Sequence, residues 1–149
     1  MALINLKSAS EANSPKTIES NTSFTSLRED AIIYVQCKKD SVHRYEDAVE
    51  NIAIVEKLAT SLPCLLLVNI SSVKSMSAEA RSYYSGERAG QVLHKVALVT
   101  SSVVSKVIGN FFIGLNKSQS VEARLFENEI EASAWLLNCP KPVFFKTTS

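Results

Sequence analysis

The residues in this sequence that could do chemistry are few and widely spaced. His43 and His94 lack the i, i+4 spacing with which two histidines on one helix face bind a metal ion. The three cysteines, Cys37, Cys64 and Cys139, are an odd number at wide spacings, which fits neither a disulfide framework nor a zinc knuckle. No G-x-S-x-G motif marks a nucleophilic serine. The sequence therefore predicts no catalytic residue, no metal site and no cofactor, and we expect a protein that is not an enzyme.

The segment GNFFIGLNK, residues 109–117, superficially resembles a phosphate-binding loop. Such a loop needs G-x-x-x-x-G-K-[ST] between a strand and a helix, whereas here Leu-Asn follows the second glycine, late in a predicted helix. We interpret Gly109 as the residue that lets a neighbouring element approach closely and Gly114 as the one that loosens the helix end. Asn110 either ties down the backbone of the next loop, which is the favoured interpretation, or faces a ligand.

The segment EARSYYSGER, residues 79–88, is the best local candidate for a recognition surface. It follows the second predicted parallel strand, at the carboxyl edge where open α/β sheets bind ligands. Arg81 would bind an anion there, and Tyr84 would stack or donate a hydrogen bond. The alternative is a solvated amphipathic helix with one tyrosine in the core. The full candidate surface comprises Ser77, Glu79, Arg81, Tyr84, Asn110 and Lys117.

Hydrophobic patterning supplies the elements that must position these residues. The run CLLLVNI, residues 64–70, is continuously apolar, which is typical of a parallel strand covered on both faces. The remaining predicted strands span residues 17–27 and 31–37, which read as a hairpin, and residues 95–100 and 123–126. Helices are predicted over residues 44–60, 103–116 and 129–138, the last of them capped by Asn128. A further helix begins at residue 78 after a Ser77 cap and is interrupted at Gly86.

The helix over residues 103–116 carries the clearest apolar pattern. One stripe at helical spacing contains Val104, Val107, Ile108, Phe111, Phe112 and Leu115, with Ser105, Lys106 and Asn110 on the other side.

Strands that alternate with helices predict a single α/β domain with a mostly parallel, mixed sheet of four or five strands and flanking helices. The first hairpin is expected at one edge of the sheet. We place the domain at residues 17–139, between a loose N-terminal arm (residues 1–16) and a C-terminal tail (residues 140–149). The tail is apolar at residues 143–145 and would cover a groove, pair with a sheet edge or meet another subunit.

Composition narrows the class of partner and the compartment. The net charge of +1 creates no global field that selects nucleic acid or an anionic membrane. No signal peptide is visible, and no apolar run approaches the roughly 20 residues that span a bilayer. Cysteines predicted to be buried thiols suit a reducing compartment. We therefore expect a cytoplasmic protein that binds neither nucleic acid nor a membrane.

Four phrases carry a resemblance to a known family: LLLVNI, SMSAEARSYYSGE, VALVTSSVVSKVIGNFFIGLNK and RLFENEIEASAWL. The chain over residues 17–137 resembles small bacterial proteins of the STAS superfamily, which have the fold of the sporulation anti-sigma-factor antagonist. It is most similar in these phrases to uncharacterised STAS-like members. The resemblance implies a mixed sheet flanked by helices and a tendency to bind proteins.

Antagonist members of that superfamily receive phosphate on a serine in a D-S-S-G-like segment, at the start of the helix after the strand that corresponds to LLLVNI. The corresponding segment here reads SMSAEAR. Alignment on the strand puts Ser77 at the aspartate place and Ala78 and Glu79 at the serine places, which removes the acceptor hydroxyl. A shift of one or two residues would bring Ser77 or Ser75 to that place, so the alignment leaves both possibilities open. The resemblance therefore implies the fold and protein binding, without phosphorylation.

Three functions follow as hypotheses. The first is a non-enzymatic STAS-like regulatory or protein-interaction module, whose partner is an unidentified protein or a second copy of the chain in a homodimer. The second is a protein that binds a small ligand, an anion or a lipid, in a pocket at the carboxyl ends of the strands. A relation to the larger CRAL-TRIO domains implies the lipid, although the chain lacks the extra helices that build their pocket. The third is a structural domain of a larger assembly.

Overall fold

The computed structural model describes residues 16–115 and 121–138. Lys117, the C-terminal tail and all of the predicted N-terminal arm except Lys16 lie outside the described residues. The strands are β1 (Thr17–Glu19), β2 (Ser23–Leu27), β3 (Ile33–Cys37), β4 (Ser41–His43), β5 (Cys64–Asn69), β6 (Val73–Met76), β7 (Leu93–Val99) and β8 (Glu122–Phe126). The helices are α1 (Tyr45–Leu58), α2 (Ala78–Tyr84), α3 (Glu87–Val92), α4 (Val103–Leu115) and α5 (Glu129–Leu137).

The main sheet is mixed and mostly parallel, which confirms the predicted fold class. Its strand order is β1-β2-β3-β5-β7-β8. The first three strands pair antiparallel and form one edge, and the pairs β3–β5, β5–β7 and β7–β8 are parallel. The predicted hairpin therefore lies at an edge of the sheet, as expected.

The sheet has six strands rather than four or five, because residues 17–27 form two strands and not one. Ser20 makes the turn between them: its backbone N–H donates to the carbonyl of Ser23 at 2.8 Å. The Ser20 Oγ atom in turn accepts from the backbone N–H groups of Thr22 and Ser23. A serine whose side chain bonds nearby backbone groups favours a turn over a continuous ladder.

A second, two-stranded parallel sheet pairs β4 with β6. Neither strand is among those predicted from the sequence. Both are short and rich in polar residues, so neither carries the apolar alternation that marks a strand.

Helices cover both faces of the main sheet. Alternate residues of β5 serve the two faces: Leu66 joins the core under α1, α3 and α4, whereas Leu65 and Leu67 join the core under α5. Residues of β7 divide in the same way, with Val96 on the first face and Ala97 on the second. The two-sided burial predicted for the run at residues 64–70 is therefore confirmed.

Local signals set the helix boundaries. The Ser77 Oγ atom accepts from the backbone N–H of Ala80 at 3.0 Å and caps α2, as predicted. The helix ends before Gly86, after which α3 begins. The Asn128 side chain accepts from the backbone N–H of Glu131 at 2.8 Å and caps α5.

The side of helix α4 that faces the sheet differs from the predicted apolar stripe. Its inward face is made by Ser105, Gly109 and Phe112, while Val107 and Phe111 point outward. Ser105 had been assigned to the outer side and is fully buried. Ser105 and Gly109 turn inward because small residues let the helix lie close to the sheet, and Val104, Val107 and Phe111 of the stripe are left exposed.

Candidate functional site

The predicted surface segment, residues 79–88, does not form one surface. Three of its side chains leave the segment in three directions: Arg81 lies against α4, Tyr84 turns into the core, and Glu79 lines a shallow depression next to α1. That depression is lined by Tyr45, Ala78, Glu79, Ser82, Tyr83, Gly86, Glu87 and Arg88. The structure therefore separates the residues that the sequence grouped together.

Arg81 is held by a ring and a carbonyl. Its Cζ atom lies 4.2 Å from the centroid of the Phe111 ring, and its Nη1 donates a 2.7 Å hydrogen bond to the backbone carbonyl of Met76. Its Nε is buried and has no hydrogen-bond partner among the described residues. Arg81 lines neither the depression beside Glu79 nor the cavity described below.

Ser77 and Asn110 have different surroundings. The Ser77 hydroxyl serves the helix cap, and its backbone N–H donates to the carbonyl of His43 at 2.9 Å. Asn110 is exposed, and the loop that it was predicted to hold lies outside the described residues.

Tyr84 belongs to a buried polar cluster that joins α1, α2, β4 and the turn after β1. Its hydroxyl accepts a 2.9 Å hydrogen bond from the Nδ2 of Asn51 and lies 3.3 Å from the Nδ1 of His43. Asn51 is saturated: its Oδ1 accepts from the hydroxyls of Ser20 and Ser23, and its Nδ2 also donates to the Oγ1 of Thr22. Burial raises the pKa of Tyr84 well above its usual range, so the phenol stays protonated.

His43 completes the polar cluster. It is 3% exposed, and its Nε2 lies 3.3 Å from the hydroxyl of Ser41. Burial lowers its pKa to about 4, and the nearby carboxylate of Asp47 only partly opposes the shift. The imidazole is therefore neutral at pH 7, with one N–H to share between the Ser41 and Tyr84 contacts.

A cavity lies beside this polar cluster, and we call it the core cavity. Its volume is about 70 Å³. Its walls are the sheet, α1, α2 and α4, and its lining comprises Val35, Cys37, His43, Asn51, Ile52, Val55, Leu66, Val68, Ile70, Met76, Tyr84, Leu93, Val96, Leu98, Ile108, Gly109 and Phe112. Burial raises the pKa of the Cys37 thiol to about 12, so this residue lines the cavity as a small neutral group.

Sequence reasoning missed His43 and Asn51. A signal for Asn51 was present, because it stands at core spacing in α1, three residues after Ala48 and four before Val55. A polar side chain at a core position has to be hydrogen-bonded. His43 carried a weaker signal: it alternates with Ser41 in β4, and both are buried.

The two glycines of the segment GNFFIGLNK differ in their surroundings. A Cβ at Gly109 would lie 3.0 Å from Cδ1 of Leu125 and 3.3 Å from Cδ1 of Ile70. The close approach predicted for Gly109 is therefore present, between α4 and the sheet. A Cβ at Gly114 would meet nothing within 4 Å.

The outward side of α4 is apolar and exposed. Val103, Val107 and Phe111 are 77%, 63% and 49% exposed. We define the outer face of α4 as Val103, Val104, Val107, Asn110 and Phe111. Isolated apolar residues are normal on protein surfaces, but adjoining ones on one helix face are typical of a contact surface.

Within residues 16–115 and 121–138, no group of three or more His, Cys, Asp or Glu side chains is placed to hold a metal ion. No helix in that part of the chain is long and apolar enough to cross a membrane.

Comparison with known proteins defines the class of fold first. An uncharacterised protein of the DUF3478 family from Shewanella loihica PV-4, described as having a SpoIIAA-like fold, superposes with a TM-score of 0.51 at 16% sequence identity. The superposition covers 83% of this chain and 92% of that one. The fold is therefore SpoIIAA-like, as the resemblance to the STAS superfamily predicted.

The sequence then gives the family. Residues 25–139 match the family described as domain of unknown function DUF7793, and the chain belongs to that family. No curated protein matches the chain.

Proposed function

We propose that the chain is a non-enzymatic, STAS-like protein-interaction module with a regulatory role that it exerts by binding. The outer face of α4 is its contact surface, and the occupant of that surface is a second copy of the chain. The observation that carries the proposal is the exposure of Val103, Val107 and Phe111 on one side of one helix.

The energetic argument starts from the exposed apolar area. Complete burial of a valine or phenylalanine side chain stabilises a complex by about 1.5–3 kcal/mol. Four such residues, Val103, Val104, Val107 and Phe111, are exposed on the outer face of α4 and supply an apolar centre, and association brings further contacts around it. The guanidinium of Arg81 lies 4.2 Å from the centroid of the Phe111 ring, so it holds that ring in place at the edge of this centre.

The charge pattern favours a second copy over a charged partner. The outer face of α4 contains valines, one asparagine and one phenylalanine, and no charged side chain. A two-fold interface brings the same patch of both subunits together, so a neutral patch meets its copy without like-charge repulsion. The net charge of +1 also makes the overall repulsion between two copies small.

Binding without phosphorylation fits the surroundings of Ser77. Its hydroxyl accepts from the N–H of Ala80 and so holds the start of α2. This helix carries Arg81 to the edge of the outer face of α4. In this proposal the hydroxyl serves to position the contact surface, and no covalent change is needed for association.

The test is the oligomeric state of the full chain as a function of concentration, measured by sedimentation velocity. The change is Val107→Ser combined with Phe111→Ser. The matched control is Ile130→Ser, which removes an apolar side chain that is 83% exposed on α5, on the opposite face of the sheet. We expect a dimer for the wild type and the control, and a monomer for the double variant, with unchanged circular dichroism for all three.

Two outcomes would overturn the proposal. A wild type that stays monomeric at the highest attainable concentration rules out self-association, and a different protein would then have to occupy the surface. A dimer that persists in the double variant but dissociates in Ile130→Ser would move the interface to the other side of the molecule.

A further inference from the structure

We propose that the core cavity is a binding site for a compact, neutral molecule that is mostly apolar and carries one hydrogen-bond acceptor, such as an alcohol or carbonyl oxygen. The acceptor would lie against Tyr84 at the polar end of the cavity. The observations that carry this inference are separate from those that carry the association through α4.

The size of the cavity limits the ligand. A single water needs roughly 10–15 Å³, and a cavity of roughly 150 Å³ lined by apolar side chains accepts benzene. The core cavity, at about 70 Å³, lies between these values. It is too small for a fatty-acyl chain and suits a molecule with a few heavy atoms, so it differs from the lipid pocket considered from the sequence.

The lining determines the polarity of the ligand. Most of the cavity wall is aliphatic, from residues such as Ile52, Leu66 and Val96. No Lys, Arg, Asp or Glu contributes to the lining. A charged ligand would lose its hydration without gaining a counter-charge, which is strongly unfavourable. The site therefore selects a neutral molecule, and Arg81 takes no part in it.

The polar end has one hydrogen more than its internal contacts use. The Ser41 hydroxyl, the neutral imidazole of His43 and the Tyr84 hydroxyl carry one hydrogen each, whereas the contacts Ser41–His43 and His43–Tyr84 use only two. Asn51 takes none of them, because its Nδ2 donates to Tyr84 and its Oδ1 is occupied by two serines. When the proton of His43 is on Nδ1, the imidazole donates to Tyr84 and accepts from Ser41, so the spare hydrogen is that of the Tyr84 hydroxyl; because Tyr84 lines the cavity, this is the tautomer in which the site can donate to a ligand.

The outer wall is made by the half-buried lining residues. These are Met76, Tyr84, Ile108 and Val68 of β5, in contrast to the other lining residues, which are buried. Methionine is unbranched and adapts easily to new shapes. Met76 therefore provides the most adaptable side of the cavity, where a small molecule enters.

The experiment uses the full chain with ¹³C-labelled methyl groups of Ile, Leu, Val and Met, followed by NMR. The probes are 2-methylpropan-1-ol, its carboxylate counterpart 2-methylpropanoate, and xenon as a purely apolar probe. We expect saturable shifts at the methyl groups of Ile52, Leu66 and Met76 with the alcohol and with xenon, and none with the carboxylate. Methyl groups under α5, such as those of Leu67 and Leu136, serve as the internal control.

Two variants locate the site. Val96→Ile adds a methyl group to the lining and should weaken the binding of both neutral probes at least about tenfold, as expected when bulk is added to a filled space. Val55→Ile replaces it if the first variant does not fold. Tyr84→Phe should weaken the alcohol about 3- to 10-fold and leave xenon unchanged, as expected for the loss of one hydrogen bond. Tyr83→Phe is the matched control, since Tyr83 packs edge-on against Tyr45 and does not line the cavity.

The proposal fails if neither neutral probe gives saturable shifts at the cavity methyl groups. It also fails if the carboxylate binds as well as the alcohol, or if Val96→Ile and Val55→Ile leave binding unchanged. Equal loss of alcohol binding in Tyr84→Phe and Tyr83→Phe would remove the polar end from the proposal.

Discussion

The Nδ2 atom of Asn51 donates a 2.9 Å hydrogen bond to the hydroxyl of Tyr84, and this bond joins α1 to α2 inside the core. The two residues are separated by 33 positions in the sequence. Asn51 is 8% exposed and uses all of its hydrogen-bonding capacity within the molecule. The Asn51 side chain therefore connects α1 both to the turn after β1 and to Tyr84 of α2.

Replacement of Asn51 by alanine should lower the free energy of unfolding by about 2–4 kcal/mol, because it leaves buried hydroxyls without partners. Urea denaturation measures the loss. Glu50→Ala is the matched control on the exposed side of the same helix and should change stability by less than about 0.5 kcal/mol. Equal losses in the two variants would mean that the amide does not hold the cluster together.

Acid should destabilise the protein through His43. The pKa of the buried imidazole is about 4, compared with an ordinary value of 6.5, so between these pH values the unfolded chain binds more protons than the folded one. The stability is thus fully present above pH 6.5 and falls on acidification towards pH 4, by at most about 1.4 kcal/mol per pH unit.

His43→Gln keeps a donor and an acceptor at the site but cannot titrate. This variant should show a flatter dependence of stability on pH between 4 and 6.5, as measured by urea denaturation at a series of pH values. A wild-type slope in His43→Gln would assign the acid sensitivity to other groups.

The same substitution at two glycines of α4 should have opposite effects. Gly114→Ala adds a Cβ in open space and should stabilise the protein by about 0.5–1 kcal/mol through helix propensity. Gly109→Ala places a Cβ 3.0 Å from a methyl group of Leu125, and the crowding should outweigh the propensity gain and cost about 1 kcal/mol net. Thermal unfolding of the pair tests this, and stabilisation by both would contradict the close packing of α4.

Arg81 should contribute more to stability than an arginine in an ordinary surface ion pair. Arg81→Ala removes the contact with Phe111 and the hydrogen bond to Met76, at a cost of about 1–2 kcal/mol. Arg88→Ala removes an exposed ion pair with Glu56 and should cost less than about 1 kcal/mol. If the order of the two losses in urea denaturation is reversed, Arg81 is not anchored as the structure shows.

Local signals made much of the fold predictable from the sequence. The continuous apolar run at residues 64–70, the cap at Ser77 and the break at Gly86 each depend on a few neighbouring residues, and all three are present in the structure. The small sheet of β4 and β6 was missed because its pairing is long-range and its strands carry no apolar pattern.

The candidate site was less predictable, because it depends on which side of each helix faces inward. For helix α4 the periodicity predicted one inward apolar stripe, but close packing at Ser105 and Gly109 turned a different side of the helix towards the sheet. Tyr84 and Arg81 are separated by less than one helical turn, yet one enters the core and the other lies over Phe111. The sequence shows their proximity along the chain but not the neighbours that separate them.

Opposite sides of helix α4 contribute to the two proposed sites. Ile108 and Phe112 line the core cavity, and Val107 and Phe111 lie on the outer face one residue away. A molecule that shifts α4 from within changes the fit of the subunits outside, and this coupling free energy is reciprocal. Dimerisation would then alter the affinity of the cavity for its ligand by the same factor by which the ligand alters dimerisation. Through α4, a change in the concentration of a small molecule would become a change in the fraction of dimer.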